Sequence, residues 1–399
     1  MNIALVNPEY PTISGIDHGG TATYTYTCAN ALNALGHRVF VLARNGTVPD
    51  RLSDATGFIE FRPQPDSRMS WFIDKFRCGD IVWEQAYARG LAATLHRLHE
   101  QHRLDIVDIP EYNGLAHECR KSRPFKVTVN FRTPRILIDE LNKSSNDTNP
   151  HKWHRYEKKA ARNADAYRTS SNALKEKAAG YFDIPLSDIA VIRNPVDTSL
   201  FDTIKNPERF KKKQINVLFV GRLEQRKGAE IIIKLIRQIL GLDDRIHMTF
   251  AGETKDRYGM DYQDSIERAI MPEQRNRLWF LGPFKHSRLP VLYHNSDIFL
   301  FPSLFDNSPN SLLEAMAGGL PIIAADSGGT NEIISHKKNG LLFSLNDLSS
   351  CIRCFREYLD NPACAMSMGD SAWHDCREIY SPGKIASQTI DFYKEIVHN

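Results

Sequence analysis

The chain has 399 residues, 42% hydrophobic and 25% charged, with a net charge of +3. That length favours two domains over one, and the balance is that of a globular protein with apolar residues enough for two cores. The small net charge gives no ground for a nucleic-acid partner, and no apolar run is as long as a membrane span.

The first residues, MNIALVNPEYPT, lack the basic start and apolar stretch of a secretory signal. The seven cysteines are scattered, and Cys351 and Cys354 lie at helical spacing with no second pair to complete a zinc site. Reduced core thiols and a cytoplasmic location are the expectation. Predicted strands in the first half are NIALV, RVFVLA, FIEFR, LDIVDI, FKVTV and DIAVI; the second half supplies INVLFV, IHMTFA, RLWFL, DIFLF, PIIAA and GLLF. Helical stretches such as TATYTYTCANALNAL and AEIIIKLIRQIL fall between them. Strand–helix alternation predicts an α/β protein of two Rossmann-like parallel-sheet domains with helices on both faces. The boundary is expected within Arg193 to Gln214, where few core residues and the run Lys211-Lys212-Lys213 suggest a solvated linker. The last segment opens with Ser381 as a cap and Pro382 at the first helical position. Its Ile385, Ile390, Phe392, Tyr393 and Ile396 predict a packed helix.

Ligands of open parallel sheets sit beyond the carboxyl ends of the strands. NIALV is followed by HGGTATY, where Gly19 and Gly20 precede a helix. Bare backbone and free amides suit close approach to a ligand, although a plain turn is an equal reading and the spacing is not the dinucleotide fingerprint. INVLFV is followed by GRLEQRKG, which starts at Gly221 and crowds Arg222, Arg226 and Lys227 against the next helix. Cations there are disfavoured by about 0.3–1 kcal/mol each. A diphosphate held from two sides by an arginine and a lysine restores the balance; three solvated charges is the plain alternative.

DIFLF is followed by FDNSPNSLLEAMAGG. Ser308 is the expected N-cap, Pro309 the first helical residue, and Gly318-Gly319 the stop. The amides near Asn310, Ser311 and Leu312 then face solvent or an anion. Glu314 shares the helix face of Asn310 and Ser311. A carboxylate there can accept from two adjacent ribose hydroxyls; capping a neighbouring loop is the alternative. Asp306 is placed to accept from a second sugar. FKVTV is followed by Asn130-Phe131-Arg132-Thr133-Pro134, which sets Arg132 to meet a phosphate, an acceptor or a nearby acid.

GRLEQRKG resembles the G-R-L-x-x-x-K-G segment of the retaining glycosyltransferases of family four, which have the GT-B fold. DNSPNSLLEAMAGGLPII resembles that family's E-x7-E segment and the E-A-M-A-x-G-x-P that follows. HGGTATY resembles its glycine loop, and IRNPVDTSLF the entry to its second domain. The resemblance covers nearly the whole chain. It implies two domains facing a cleft: residues 1–195 for the acceptor and 196–380 for a nucleotide sugar, with the helix 381–399 packing back toward the first. It further implies that Arg222, Lys227 and the helix start at Asn310, Ser311 and Leu312 bind the donor diphosphate. Glu314 would hold the ribose, and Asp306 would contact the donor sugar. Phe284 would grip the base through its backbone, and Gly20, beside Gly19, would approach the diphosphate from the first domain. Gly221, Asn307 and Ser308 complete the donor set. Arg222, Lys227, Asp306 and Glu314 are the catalytic candidates.

Two departures from the pattern stand out. Asp306 is one methylene shorter than the usual glutamate, and Asn307 replaces a common glycine. The histidine many members carry after the strand matching FKVTV is replaced by Asn130 or Arg132, according to alignment. Those two residues and His18 are the candidates on the acceptor or donor-sugar side, a solvated loop residue being the plain account of His18.

The reaction implied is transfer of a sugar from a UDP- or GDP-linked donor to an acceptor hydroxyl, with retention. No D-x-D triplet occurs in the chain, and neither metal nor cofactor is expected. Acceptors in view are a sugar, a lipid-linked sugar or a small molecule. A sugar-nucleotide epimerase of the same architecture and an inactive nucleotide-sugar-binding protein are the alternatives. RMSWFIDKFR and HKWHRYEKKAAR admit weak peripheral docking on anionic lipid at the inner membrane face. Surface packing through Trp153, Tyr156 and Ala160 is the favoured account of the second. His151 and His154 lack the carboxylate partners of a metal site.

Overall fold

The computed structural model describes residues 1–8, 19–44, 56–64, 80–119, 122–142, 150–201, 206, 208–256 and 259–398. These form two compact units, Met1–Pro195 with Pro382–Asn399, and Val196–Ser381. In the first, strands β1 (Asn2–Val6), β2 (Arg38–Ala43), β3 (Thr56–Glu60), β4 (Ile106–Pro110), β5 (Lys126–Phe131), β6 (Ala166–Thr169) and β7 (Ile189–Val191) make a parallel sheet. Their order is β3-β2-β1-β4-β5-β6-β7. Leu5 on β1 sits in register with Val41 on one side and Asp108 on the other. Both faces are covered, so β1 and β2 read as continuous apolar runs rather than alternating ones.

The strand β6, with sequence AYRT, has no counterpart among the predicted strands. Its Arg168 is 1% exposed, a charge in a place where sequence pattern looks for an apolar residue. Arg168 Nε donates to Asp108 Oδ2 at 2.7 Å, and Nη2 donates to the Tyr24 hydroxyl at 2.6 Å. Tyr393 donates to the same Asp108 oxygen at 2.5 Å. A buried charge persists only with such partners. The network also latches the last helix, Pro382–His398, into this unit. There Ile390, Tyr393 and Ile396 share a core with Tyr24, Cys28 and Leu32 of the helix Gly19–Ala34.

The second unit holds β8 (Ile215–Val220), β9 (Ile246–Ala251), β10 (Leu278–Phe280), β11 (Ile298–Phe301), β12 (Ile322–Ala325) and β13 (Leu341–Phe343). They are parallel in the order β10-β9-β8-β11-β12-β13. The helix Ala229–Leu240 shows why the pattern works: Ile232, Leu235, Ile236, Ile239 and Leu240 are buried, and Glu230, Lys234 and Arg237 point to water.

The segment after Arg193 differs from the expected solvated linker. Lys211, Lys212 and Lys213 are exposed, but Phe201, Arg209 and Phe210 are buried. Arg209 donates to the carbonyls of Ser296, Gly318 and Gly319, each at 3.0 Å. It thereby satisfies carbonyls beyond the C-terminus of the helix Asn310–Ala317, which no helical amide can reach. Burial pushes Arg209 down to about 10. Cys351 and Cys354 are buried free thiols. The helix Pro150–Ala161 packs through Trp153, Tyr156 and Ala160 and turns Lys152, Arg155 and Lys159 outward. The other candidate membrane stretch, residues 68–77, lies outside the described residues. Among the described residues no helix is long and apolar enough to cross a membrane.

Candidate functional site

In the second unit β8 and β11 are neighbours, so the segments leaving their carboxyl ends run side by side. The loop from Gly221 to Gly228 follows β8. Gly228 has φ +84°, and a Cβ there would stand 2.0 Å from the Pro302 carbonyl oxygen. Only glycine permits that approach. The Leu304 amide donates to the Arg226 carbonyl at 2.8 Å, and the Ser303 hydroxyl donates to it at 3.1 Å.

This zipper sets Lys227 against Asp306 in a direct ion pair, with Arg226 Nη1 3.7 Å from the same carboxylate. Asp306 is 8% exposed. Burial pushes its carboxyl up, but Lys227 and then Arg226 outweigh burial and hold it below the usual aspartate value. A third strand of chain supports it from beneath. Gly328, at φ +53°, allows the backbone to pass so close that a Cβ would lie 2.6 Å from the Asp306 carbonyl oxygen. The next amide, of Gly329, donates to that oxygen at 2.7 Å.

The loop's charges are matched locally, which corrects the picture of cations crowded without partners. Arg222, on the exposed side, donates to Glu253 at 2.7 Å. Arg226 donates to Glu224 at 2.7 Å. Glu253 follows β9 and comes beside Arg222 only because β8 and β9 pair. A ligand anion would therefore compete with carboxylates for these cations rather than fill an empty positive site.

The helix Asn310–Ala317 starts one residue later than expected. Pro309, not Ser308, is the N-cap, and no side chain caps the end. The amides of Leu312 and Leu313 donate to the Pro309 carbonyl at 3.1 and 3.2 Å. Leu312 thus does not present an open donor, and the outermost turn at Asn310 and Ser311 is what faces outward. Asn307 and Ser308 are buried ahead of the helix, and the Asn307 amide donates to Asp306 Oδ1 at 3.1 Å.

Glu314 is 4% exposed. It does not cap a loop; two side chains hold it. The Tyr293 hydroxyl donates to Oε2 at 2.9 Å, and His286 Nε2 lies 2.8 Å from Oε1. Burial, and then the Glu314 charge, push the Tyr293 hydroxyl well above its ordinary value. Tyr293 is on the helix Leu289–Asn295 and His286 in the 3-10 turn before it. Phe284, half-buried, packs on the same core two residues before His286. Sequence reading passed over both partners, since neither lies at a helical or strand spacing from Glu314.

In the first unit, Gly19 and Gly20 open a helix, with Gly20 exposed, and His18 lies outside the described residues. Asn130 and Arg132 come together in one polar cluster. With its amide turned so that the oxygen faces the two guanidiniums, Asn130 accepts from Arg132 Nη2 at 3.1 Å and from Arg168 Nη2 at 2.8 Å. The Arg132 guanidinium lies 3.3 Å over the Tyr24 ring, and its Nη1 donates to Asn194 at 2.9 Å. Two carboxylates that the sequence did not flag brace the neighbouring loop. Glu111 accepts the amides of Arg132 and Thr133 at 2.9 and 2.8 Å, and Glu157 accepts those of Asn113 and Arg135 at 3.2 and 3.3 Å. Burial raises Glu111 to about 7; burial and then the Glu111 charge raise Glu157 to about 8. Among the described residues no group of three or more His, Cys, Asp or Glu side chains could hold a metal ion.

Residues 18–200 match the family described as Glycosyltransferase Family 4, and residues 201–374 match Glycosyl transferases group 1. A glycogen synthase of Mycobacterium tuberculosis is 24% identical over 415 aligned positions, covering 98% of this chain and 94% of that protein. Among solved structures, a sucrose-phosphate synthase from Thermosynechococcus elongatus superposes with a TM-score of 0.75 at 20% identity, over 99% of this chain and 98% of its own. Anabaena HepE in complex with UDP superposes with a TM-score of 0.73 at 17% identity, over 99% of both chains.

Proposed function

The chain belongs to the family four glycosyltransferases and has the GT-B fold, its two family matches running from residue 18 to residue 374, and on that premise we propose a retaining transfer. A sugar passes from a UDP- or GDP-linked donor to an acceptor hydroxyl, without a metal. The observation that carries this reading is the convergence at the ends of β8 and β11: the Arg222–Lys227 loop, Asp306, and a helix start that presents Asn310 and Ser311 with Glu314 on the same face.

In this reading Glu314 accepts from the ribose hydroxyls, and the Phe284 backbone meets the base. Arg222, Lys227 and the first amides of the helix face the diphosphate. The bond from the anomeric carbon to the phosphate oxygen breaks, and its electron pair stays on that oxygen. The same cations and amides stabilise the charge that grows there, the role a metal ion fills in other enzymes. Lys227 shares its charge between Asp306 and the phosphate, and with Arg226 Nη1 also 3.7 Å away Asp306 stays ionised to accept from hydroxyls of the donor sugar. The acceptor oxygen takes the anomeric carbon, and its proton leaves with the diphosphate. The acceptor is a hydroxyl of a sugar, a lipid-linked sugar or a small molecule. A lipid-linked one would bring the protein to the inner membrane face, where outward Lys152, Arg155 and Lys159 add attraction to anionic lipid of roughly 1 kcal/mol each.

Thermal shift with UDP and GDP, with and without magnesium, tests the donor. Stabilisation by one of the two without magnesium is expected. Glu314→Ala is expected to weaken that nucleotide by at least about tenfold more than Asp306→Ala, the cost of hydrogen bonds to a charged group. Equal losses would overturn the roles given to the two carboxylates. An inverted anomeric configuration in the product, read by NMR, would overturn retention.

A further inference from the structure

We propose that His286 is a positioning residue that fixes Glu314 for two neighbouring hydroxyls, so that the site selects ribose over 2′-deoxyribose. This rests on the donor reading above. A carboxylate offers about four acceptor directions, two on each oxygen. Tyr293 uses one on Oε2 at 2.9 Å, and His286 Nε2 uses one on Oε1 at 2.8 Å. One direction on each oxygen is left, which is the pattern two adjacent hydroxyl donors fill.

The carboxylate only accepts, so the proton of this bond is on Nε2. The last torsion of a glutamate is broad and weakly held by itself. Tyr293 alone would leave Oε1 free to turn; His286, from a separate turn of chain, pins the other end. The two partners also differ in access. Tyr293 is fully buried, whereas the His286 side chain is 16% exposed, so the imidazole is the partner of Glu314 nearer to solvent. Phe284, two residues earlier, is the residue assigned to the base. One short segment, Phe284 to His286, then serves base and ribose together.

The test is calorimetric binding of UDP and GDP and of their 2′-deoxy counterparts to the full chain. Wild type is expected to favour the ribonucleotide by about tenfold or more, the worth of one hydrogen bond to a charged acceptor. His286→Phe keeps a ring but loses the donor. It is expected to weaken the ribonucleotide by about tenfold and the 2′-deoxynucleotide far less, so that their ratio approaches one. His286→Gln, whose amide can reach Oε1, is expected to restore most of the ratio. A side chain that merely fills space would move both nucleotides equally. If His286→Phe fails to fold, His286→Asn decides: its amide is too short to reach Oε1, so a wild-type ratio there overturns the proposal. A folded His286→Phe with the wild-type ratio overturns this proposal alone. Wild type that binds neither nucleotide overturns the donor reading and this proposal with it.

Discussion

Asp306 in one unit and the pair Glu111 and Glu157 in the other are all buried carboxylates, and they ionise in opposite ways. Burial pushes all three up. Asp306 faces Lys227 and Arg226, and the two cations carry it below its ordinary value. For Glu111 burial outweighs backbone amides and the more weakly felt Arg132, and for Glu157 burial and the Glu111 charge outweigh backbone amides and Arg135, so they rise to about 7 and about 8. Depth therefore does not decide the charge of a buried acid; the charge of its neighbours does. A carboxylate kept ionised among cations is poised to accept from substrate hydroxyls. A pair that readily holds protons can brace the loop at 132–135 without two bare negative charges side by side.

Three experiments break or sharpen that contrast. The largest effect is expected from Lys227→Ala, which takes from Asp306 its nearest cation and from the proposed diphosphate site one of its charges. Turnover is expected to fall by about 10²–10³-fold, the usual cost of losing one charge-stabilising donor. Retention of activity within a few-fold would overturn the charge-stabilising role given to Lys227.

The second effect is on stability against pH. Glu111 and Glu157 have folded values above the unfolded 4.5, so their contribution is full below that value and is lost as pH rises toward about 8. Asp306 has a lowered value; its contribution is present above 3.8 and is lost as pH falls further. Melting temperature followed from about pH 5 to 9 is expected to fall, and Glu157→Gln is expected to flatten the slope by roughly 2–4 °C for each kcal/mol removed. An unchanged slope would remove the glutamate pair as its source.

The smallest effect belongs to Glu253→Gln. Its partner Arg222 is 44% exposed, and exposed pairs are worth about 0–1 kcal/mol. Releasing Arg222 is expected to tighten nucleotide binding by no more than about fivefold in a titration. A larger gain would place this pair with Lys227–Asp306 rather than among ordinary surface contacts.

The amino-acid order by itself determined the α/β class, because the periods of apolar residues in strands and helices are properties of the backbone. It also carried Glu314 onto the face of Asn310 and Ser311, since three and four residues make one helical turn. It erred on the helix start, where Pro309 caps in place of Ser308, and on the segment around Arg209, whose burial depends on carbonyls of distant residues. Only the tertiary structure decided which charges meet. Lys227 and Asp306 are 79 residues apart, Glu314 and His286 are 28, and Arg168 and Asp108 are 60. That last pair is also why AYRT, paired between β5 and β7, can carry an arginine inside: Asp108 on β4 accepts from it. Contacts of this kind follow from strand order, which sets β8 beside β11 and β9, and no local period in a chain encodes which strands will lie side by side.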